Sequence, residues 1–125
     1  MEIEKLREKL QNKSVLFVED DLQINEEFNE LLYILCKEAV AKLNGLEAIK
    51  VYDVGRFDLV ITDITMPHMN GFELAKKIKE LNPSQKIIAM SGDQKSDFEE
   101  SYLFDFWIRK PVEMDELFDT LYRAF

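Results

Sequence analysis

Four carboxylates, a hydroxyl and an ammonium each follow directly on a short apolar run. Val15-Leu16-Phe17-Val18 leads into Glu19-Asp20-Asp21, and Leu59-Val60-Ile61-Thr62 leads into Asp63. Lys86-Ile87-Ile88-Ala89-Met90 ends at Ser91-Gly92-Asp93, and the run from Phe104 to Ile108 ends at Arg109-Lys110-Pro111. Clustered carboxylates repel one another and need a cation. A set made only of oxygen donors favours Mg²⁺, or Mn²⁺, over Zn²⁺. A lone acid beside such a cluster, with a hydroxyl and an ammonium at hand, suits metal-assisted transfer of a phosphoryl group to a carboxylate. Asp63 would attack, and Ser91 and Lys110 would bind the phosphoryl oxygens.

These groups meet only if the runs are strands of one sheet. Runs rich in Val, Ile and Phe read as buried strands of a parallel sheet, and in open α/β sheets the working site lies beyond the carboxyl ends of the strands. The pattern predicts strands at about 14–19, 39–42, 57–62, 86–90 and 106–108. Between them it predicts helices: one to about Lys37, with Ile24, Phe28, Leu31, Leu32 and Leu35 inward; one after Asn44-Gly45, ending near Gly55; one over 72–81, with Leu74, Ile78 and Leu81 inward, stopped by Asn82-Pro83; one within 95–103; and one from Met114, with Leu117, Phe118, Leu121 and Phe125 inward. Alternating strands and helices imply right-handed crossovers and helices on both faces. Residues 2–12 are helix-prone, with Ile3, Leu6 and Leu10 on one stripe. This extension is either a packed or frayed helix or a short coiled-coil seam, and three apolar positions are too few to favour the seam.

In order and spacing, several short elements together resemble the receiver domain of two-component response regulators, over roughly residues 14–125. They are Val18-Glu19-Asp20-Asp21, Asn44-Gly45-Leu46-Glu47-Ala48, Asp58 through Pro67, Asn70-Gly71, Ser91-Gly92 and Lys110-Pro111. The resemblance implies a CheY-like, flavodoxin-like three-layer sandwich: a five-stranded parallel sheet flanked by helices on both faces, preceded by an N-terminal helical extension over 1–13. It implies that Asp63 accepts a phosphoryl group from a histidine kinase or histidine phosphotransfer protein. Asp20 would hold Mg²⁺ directly and Glu19 through water, with Asp63 and the backbone carbonyl of Thr65 completing the protein ligands. Ser91 and Lys110 would bind the phosphoryl oxygens, and Pro111 would follow a cis peptide bond that aims the lysine. Trp107 stands at the family's aromatic switch position, although it is larger than the usual Tyr or Phe. Asp21 is either a further acid of the cluster or the cap of the following helix.

The chain departs from the family pattern between Ser91 and Lys110, which are 19 positions apart, a few fewer than is typical. The helix within 95–103 is therefore expected to be truncated or displaced. This short stretch also carries Phe98, Tyr102, Leu103, Phe104, Phe106 and Trp107. Part of that set is expected to form a partner or dimer surface, together with the last strand and last helix. An aspartate-dependent phosphohydrolase usually has a second acid two positions after its nucleophile; Thr65 stands there instead. A non-phosphorylated pseudo-receiver is disfavoured by the intact Asp20, Asp63 and Lys110. A receiver joined to a transcription-factor or hybrid-kinase remainder stays open.

Composition sets the outer bounds. A chain of 125 residues with 46% hydrophobic residues can build one core. A formal charge of −9 argues against nucleic acid or anionic membrane as a direct partner. The single cysteine, Cys36, permits no internal disulfide and fits a reducing cytoplasm. It reads as a core residue rather than a nucleophile. His68, the only histidine, reads as a solvated loop residue. No run approaches the length of a membrane span, and the N-terminus lacks a signal-peptide core. The chain is expected to be a phosphoacceptor that catalyses only its own phosphorylation and dephosphorylation.

Overall fold

The computed structural model describes all 125 residues. Five strands form one parallel sheet: β1 (Ser14–Val18), β2 (Glu38–Lys42), β3 (Leu59–Asp63), β4 (Ile87–Ser91) and β5 (Phe106–Arg109). Their order across the sheet is β2-β1-β3-β4-β5. The α-helices are α1 (Ile3–Leu10), α2 (Leu22–Leu35), α3 (Gly45–Val51), α4 (Gly71–Leu81) and α5 (Met114–Ala124). Residues of β1, β3 and β4 are fully buried almost throughout, so their apolar runs are continuous rather than alternating.

Alternate residues on these strands feed two cores. Leu16, Val18, Val60, Ile87 and Ala89 face one way and pack with α3 and α4 through Ala48, Leu74, Ala75 and Ile78. Val15, Phe17, Leu59, Ile61, Ile88, Met90 and Ile108 face the other way, against α2, α5 and α1. Helix α1 is packed, not frayed. Leu6 and Leu10 are fully buried in the second core. Lys9 Nζ donates to the Tyr122 carbonyl at 2.9 Å, near the end of α5, and sits 3.9 Å from the Tyr122 ring centroid. The seam reading of residues 2–12 therefore gives way to intramolecular packing: the two leucines it needs are used inside the chain.

Several boundaries move. Phe57 lies before β3, buried against Tyr52. Helix α3 stops at Val51, short of Gly55, which sits in a later turn at φ 84°. Leu81, expected inward, is 57% exposed in the last turn of α4. No α-helix forms within 95–103. Two 3₁₀ segments, Lys95–Asp97 and Glu99–Leu103, make the connection instead. Only 19 positions separate the end of β4 from Lys110. A 3₁₀ turn rises ~2.0 Å per residue against ~1.5 Å in an α-helix, so it covers the distance with fewer residues. The aromatic residues of this stretch are mostly gathered on Phe72 of α4: Phe98, Phe104 and Trp107 have ring centroids 5.0, 5.5 and 6.4 Å from it. Tyr102 alone projects, 77% exposed.

Two expectations follow. Leu10→Ala should lose about 2–5 kcal/mol of unfolding free energy in a urea titration, the usual cost of emptying a buried leucine site; a loss below about 0.5 kcal/mol would mean that α1 is not docked in solution. Amides of residues 95–103 should exchange with D₂O faster than those of α4, because short 3₁₀ turns carry few interlocked hydrogen bonds. Equal protection in both segments would contradict this.

Candidate functional site

The carboxyl ends of β1, β3, β4 and β5 lie side by side, in parallel register: Val18 opposite Thr62, Asp63 opposite Met90, and Ser91 opposite Arg109. The first residues beyond or at those ends are therefore neighbours. Glu19, Asp20 and Asp63 each present a carboxylate oxygen within 4.8 Å of the others. Lys110 closes the group from the far side: its Nζ is 2.7 Å from Glu19 Oε1 and 3.1 Å from Asp63 Oδ2. Glu19 and Asp63 are buried, while Asp20 is exposed. The Lys110-Pro111 bond is cis.

The electrostatics follow from this crowding. Partial desolvation raises the pKa of the exposed Asp20 above the ordinary carboxylate value, and the neighbouring Glu19 raises it further. Burial pushes the Lys110 ammonium toward losing its proton, but its hydrogen bond to Glu19 and the charge of Asp63 outweigh that and leave its pKa raised. Three carboxylates against one ammonium leave a formal charge of −2 in this cluster. An oxygen-only donor set with that charge fits a divalent hard cation such as Mg²⁺.

The remaining predicted residues divide clearly. Asp21 is not part of the cluster; its side chain accepts from the Ile24 N–H at 3.0 Å and caps α2. Thr65 is exposed in the loop that follows β3, two residues from Asp63. Ser91 is 3% exposed, and its hydroxyl accepts from the Asp93 N–H at 3.0 Å, which leaves the O–H free to donate. Trp107 does not point into the site. Its Nε1 donates to the Asp93 carbonyl at 3.0 Å. His68 is exposed at φ 68° in the same loop as Thr65. Cys36 is 9% exposed and its thiol is pushed up to about 11 by burial and the nearby Asp58, so it is no nucleophile at neutral pH.

Sequence reasoning missed Asn25. This buried side chain donates to the Glu19 carbonyl at 3.0 Å and to the Lys42 carbonyl at 2.9 Å. It ties the end of β1 to the end of β2 and fixes where the acidic loop begins. The signal was present: Asn25, Phe28 and Leu32 share one helical face, so a polar residue stood where an apolar one was expected. Gly71 matters equally. Its N–H donates to the Ile64 carbonyl at 2.8 Å, and a Cβ there would come within 2.5 Å of the Asp63 carbonyl oxygen. Only glycine lets α4 start this close to the end of β3, where Asn70 and Glu73 form a capping box.

Residues 15–122 match the model of the response regulator receiver domain. The chain is 41% identical over 92 residues to the chemotaxis protein CheY of Listeria monocytogenes, covering 70% of this chain and 76% of that one. It is 31% identical over 126 residues to two-component response regulator 24 of Arabidopsis thaliana, covering 96% and 90%. It spans only 10% of the autoinducer 1 sensor kinase/phosphatase LuxN of Vibrio campbellii and 55% of the transcriptional regulatory protein CrdR of Helicobacter pylori. Among solved structures it resembles CheY4 of Vibrio cholerae, with TM-score 0.83 and 26% identity, covering 92% and 100%. It also resembles TrrA of Thermotoga maritima in complex with Mg²⁺ and BeF, with TM-score 0.80 and 31% identity, covering 90% and 99%. A parallel sheet whose strand ends gather acids and a lysine, matched along nearly its whole length, places this chain in the response regulator receiver family of two-component signalling.

Proposed function

We propose that the chain is a phosphorylation-controlled switch whose acceptor is Asp63. The observation that carries this reading is the Lys110 ammonium, 2.7 Å from Glu19 and 3.1 Å from Asp63 at the mouth of a three-carboxylate cluster. The donor is a phosphohistidine of a histidine kinase or phosphotransfer protein. An Asp63 carboxylate oxygen forms a bond to phosphorus while the P–N bond to the imidazole breaks, and the bonding pair leaves with the imidazole. Asp20, Glu19, Asp63 and the Thr65 carbonyl would hold Mg²⁺. When bound, the ion offsets the charge that gathers on the phosphoryl oxygens. Lys110 stays protonated and binds one phosphoryl oxygen. Ser91 donates its free O–H to another. The protein turns over nothing but its own acyl phosphate.

The output is a shift in population at the surface made by residues 95–103, β5 and α5. Exposed Tyr102 belongs to this surface, which meets an output protein or a second copy of the chain. Residues 14–125 form the receiver unit and 1–13 its helical extension, in a cytoplasmic protein; no helix is long and apolar enough to cross a membrane. The same site would serve a receiver joined to further domains, and the role of Asp63 does not depend on which holds.

Incubation with acetyl phosphate and Mg²⁺ should add one acid-stable, base-labile phosphate, read by mass spectrometry, and Asp63→Asn should abolish it. Undiminished labelling of the variant would remove Asp63 as acceptor. Mg²⁺ should raise the melting temperature, by binding worth about 2.7 kcal/mol at roughly 100 times its dissociation constant. Asp20→Asn should shrink that shift sharply. An equal shift in the variant would take Asp20 out of the metal site.

A further inference from the structure

The 3₁₀ connection between β4 and β5 leaves a groove that, Thr65 at its edge apart, lies outside the phosphoryl-transfer site. It has a volume of about 640 Å³ and runs between the loop after β3, the start of α4 and residues 97–100. A full α-helix would lay more side chains along α4; two short 3₁₀ segments do not. The floor is apolar: Ile64, Met66, Phe72 and Phe98, with the two rings 5.0 Å apart and tilted by 50°. One rim is wholly acidic. Asp97, Glu99 and Glu100 are exposed there, and no lysine or arginine lines the groove. None of the three carboxylates takes part in an ion pair. Asp97 accepts the Gln94 N–H at 3.0 Å, which fixes its carboxylate on the rim. Lys76 lines the adjoining hollow with Glu73 and Glu100, and Lys95 shares the 3₁₀ turn of Asp97; neither lines the groove or forms an ion pair with its rim.

We propose that this groove docks an extended basic segment of a partner protein. An aliphatic side chain of that segment seats on Phe72 and Phe98, and flanking arginine or lysine side chains reach Glu99, Glu100 and Asp97. Charge complementarity selects this occupant. An acidic or neutral segment would bring nothing to three carboxylates that form no ion pair. An arginine also gains from lying over an aromatic face. Rim charges of this kind give speed of encounter and selectivity, and the aromatic floor gives contact area. The proposal goes beyond the phosphoacceptor reading and does not rest on it, so it is tested without phosphodonor or metal.

The probe is a blocked pentapeptide carrying leucine between two arginines, compared with the same peptide carrying citrulline for arginine. Both are titrated into the ¹⁵N-labelled full chain at low salt. The arginine peptide should shift the amides of residues 64–66, 70–72 and 97–100. The citrulline peptide should bind about fivefold more weakly or worse, as should the arginine peptide to E99Q/E100Q. These exposed substitutions should leave the melting temperature unchanged, which separates lost docking from lost fold. Shifts centred elsewhere would overturn the proposal. So would equal affinity for both peptides, undiminished binding to E99Q/E100Q, or groove shifts that arise from self-association of the chain without peptide.

Discussion

One ammonium holds the ends of three strands in register with each other's charge. Lys110 stands beyond β5, yet its Nζ touches Glu19 beyond β1 and Asp63 at the end of β3. Both acids are nearly buried, 1% and 6% exposed, where an unpaired carboxylate is costly. Removing the lysine would therefore do more than delete two ion pairs; it would leave two buried carboxylates facing each other with Asp20 beside them. The lysine offsets one charge of three, too little to make the site neutral. That deficit is what would let the cluster take a cation, as proposed above, while it anchors the strands. Structure and chemistry depend on the same shortage of positive charge.

The parts of this arrangement legible in the sequence are those where one residue type has one use. An apolar run that stops at a polar or charged group marks a strand end, and the positions of Glu19, Asp20, Asp63, Ser91 and Lys110 are all readable in that way. Asp21 had two uses, and the structure decides for the helix cap because its oxygen lies 3.0 Å from the Ile24 N–H. Asn25 was overlooked because helical periodicity counts apolar residues, while this position buries an amide whose partners, the Glu19 and Lys42 carbonyls, are distant in pattern but adjacent in space. Leu81 ends α4, where the apolar periodicity continues but burial does not. The segment 95–103 was legible only as a length deficit. Spacing could exclude a full helix, but it could not say that the rings would gather on Phe72.

Helix α1 shows how a segment outside the matched region can still be part of the domain. The match begins at residue 15, yet Leu6 and Leu10 fill the same core as Phe17, Ile61 and Leu121. Its attachments continue past its own end: the Lys13 carbonyl accepts from the Lys37 and Glu38 N–H groups at 2.9 and 3.4 Å. Those bonds join the extension to the start of β2, the edge strand, whose residues are all only half-buried. The helix thus thickens the side of the sheet that α2 and α5 already cover, and leaves the α3–α4 side as it was. Changes in α5 must be felt by α1, since Lys9 meets Tyr122 directly.

Near the opposite edge, two side chains meet on a single residue, Asp93. The Ser91 hydroxyl accepts the Asp93 N–H, and the Asp93 carbonyl accepts from Trp107 Nε1, both at 3.0 Å. If Ser91 donates its O–H to a phosphoryl oxygen, as proposed above, the same oxygen still holds the Asp93 N–H, so any shift of Ser91 toward the phosphoryl group pulls on the loop after β4. That pull reaches Trp107, and through it Phe98, 5.6 Å away between centroids. The indole spans from β5 to the loop after β4 through its bond to the Asp93 carbonyl. The chain's departures from the family pattern, a larger aromatic and a shorter connection, therefore belong together: the indole braces a segment too short to be braced by a helix.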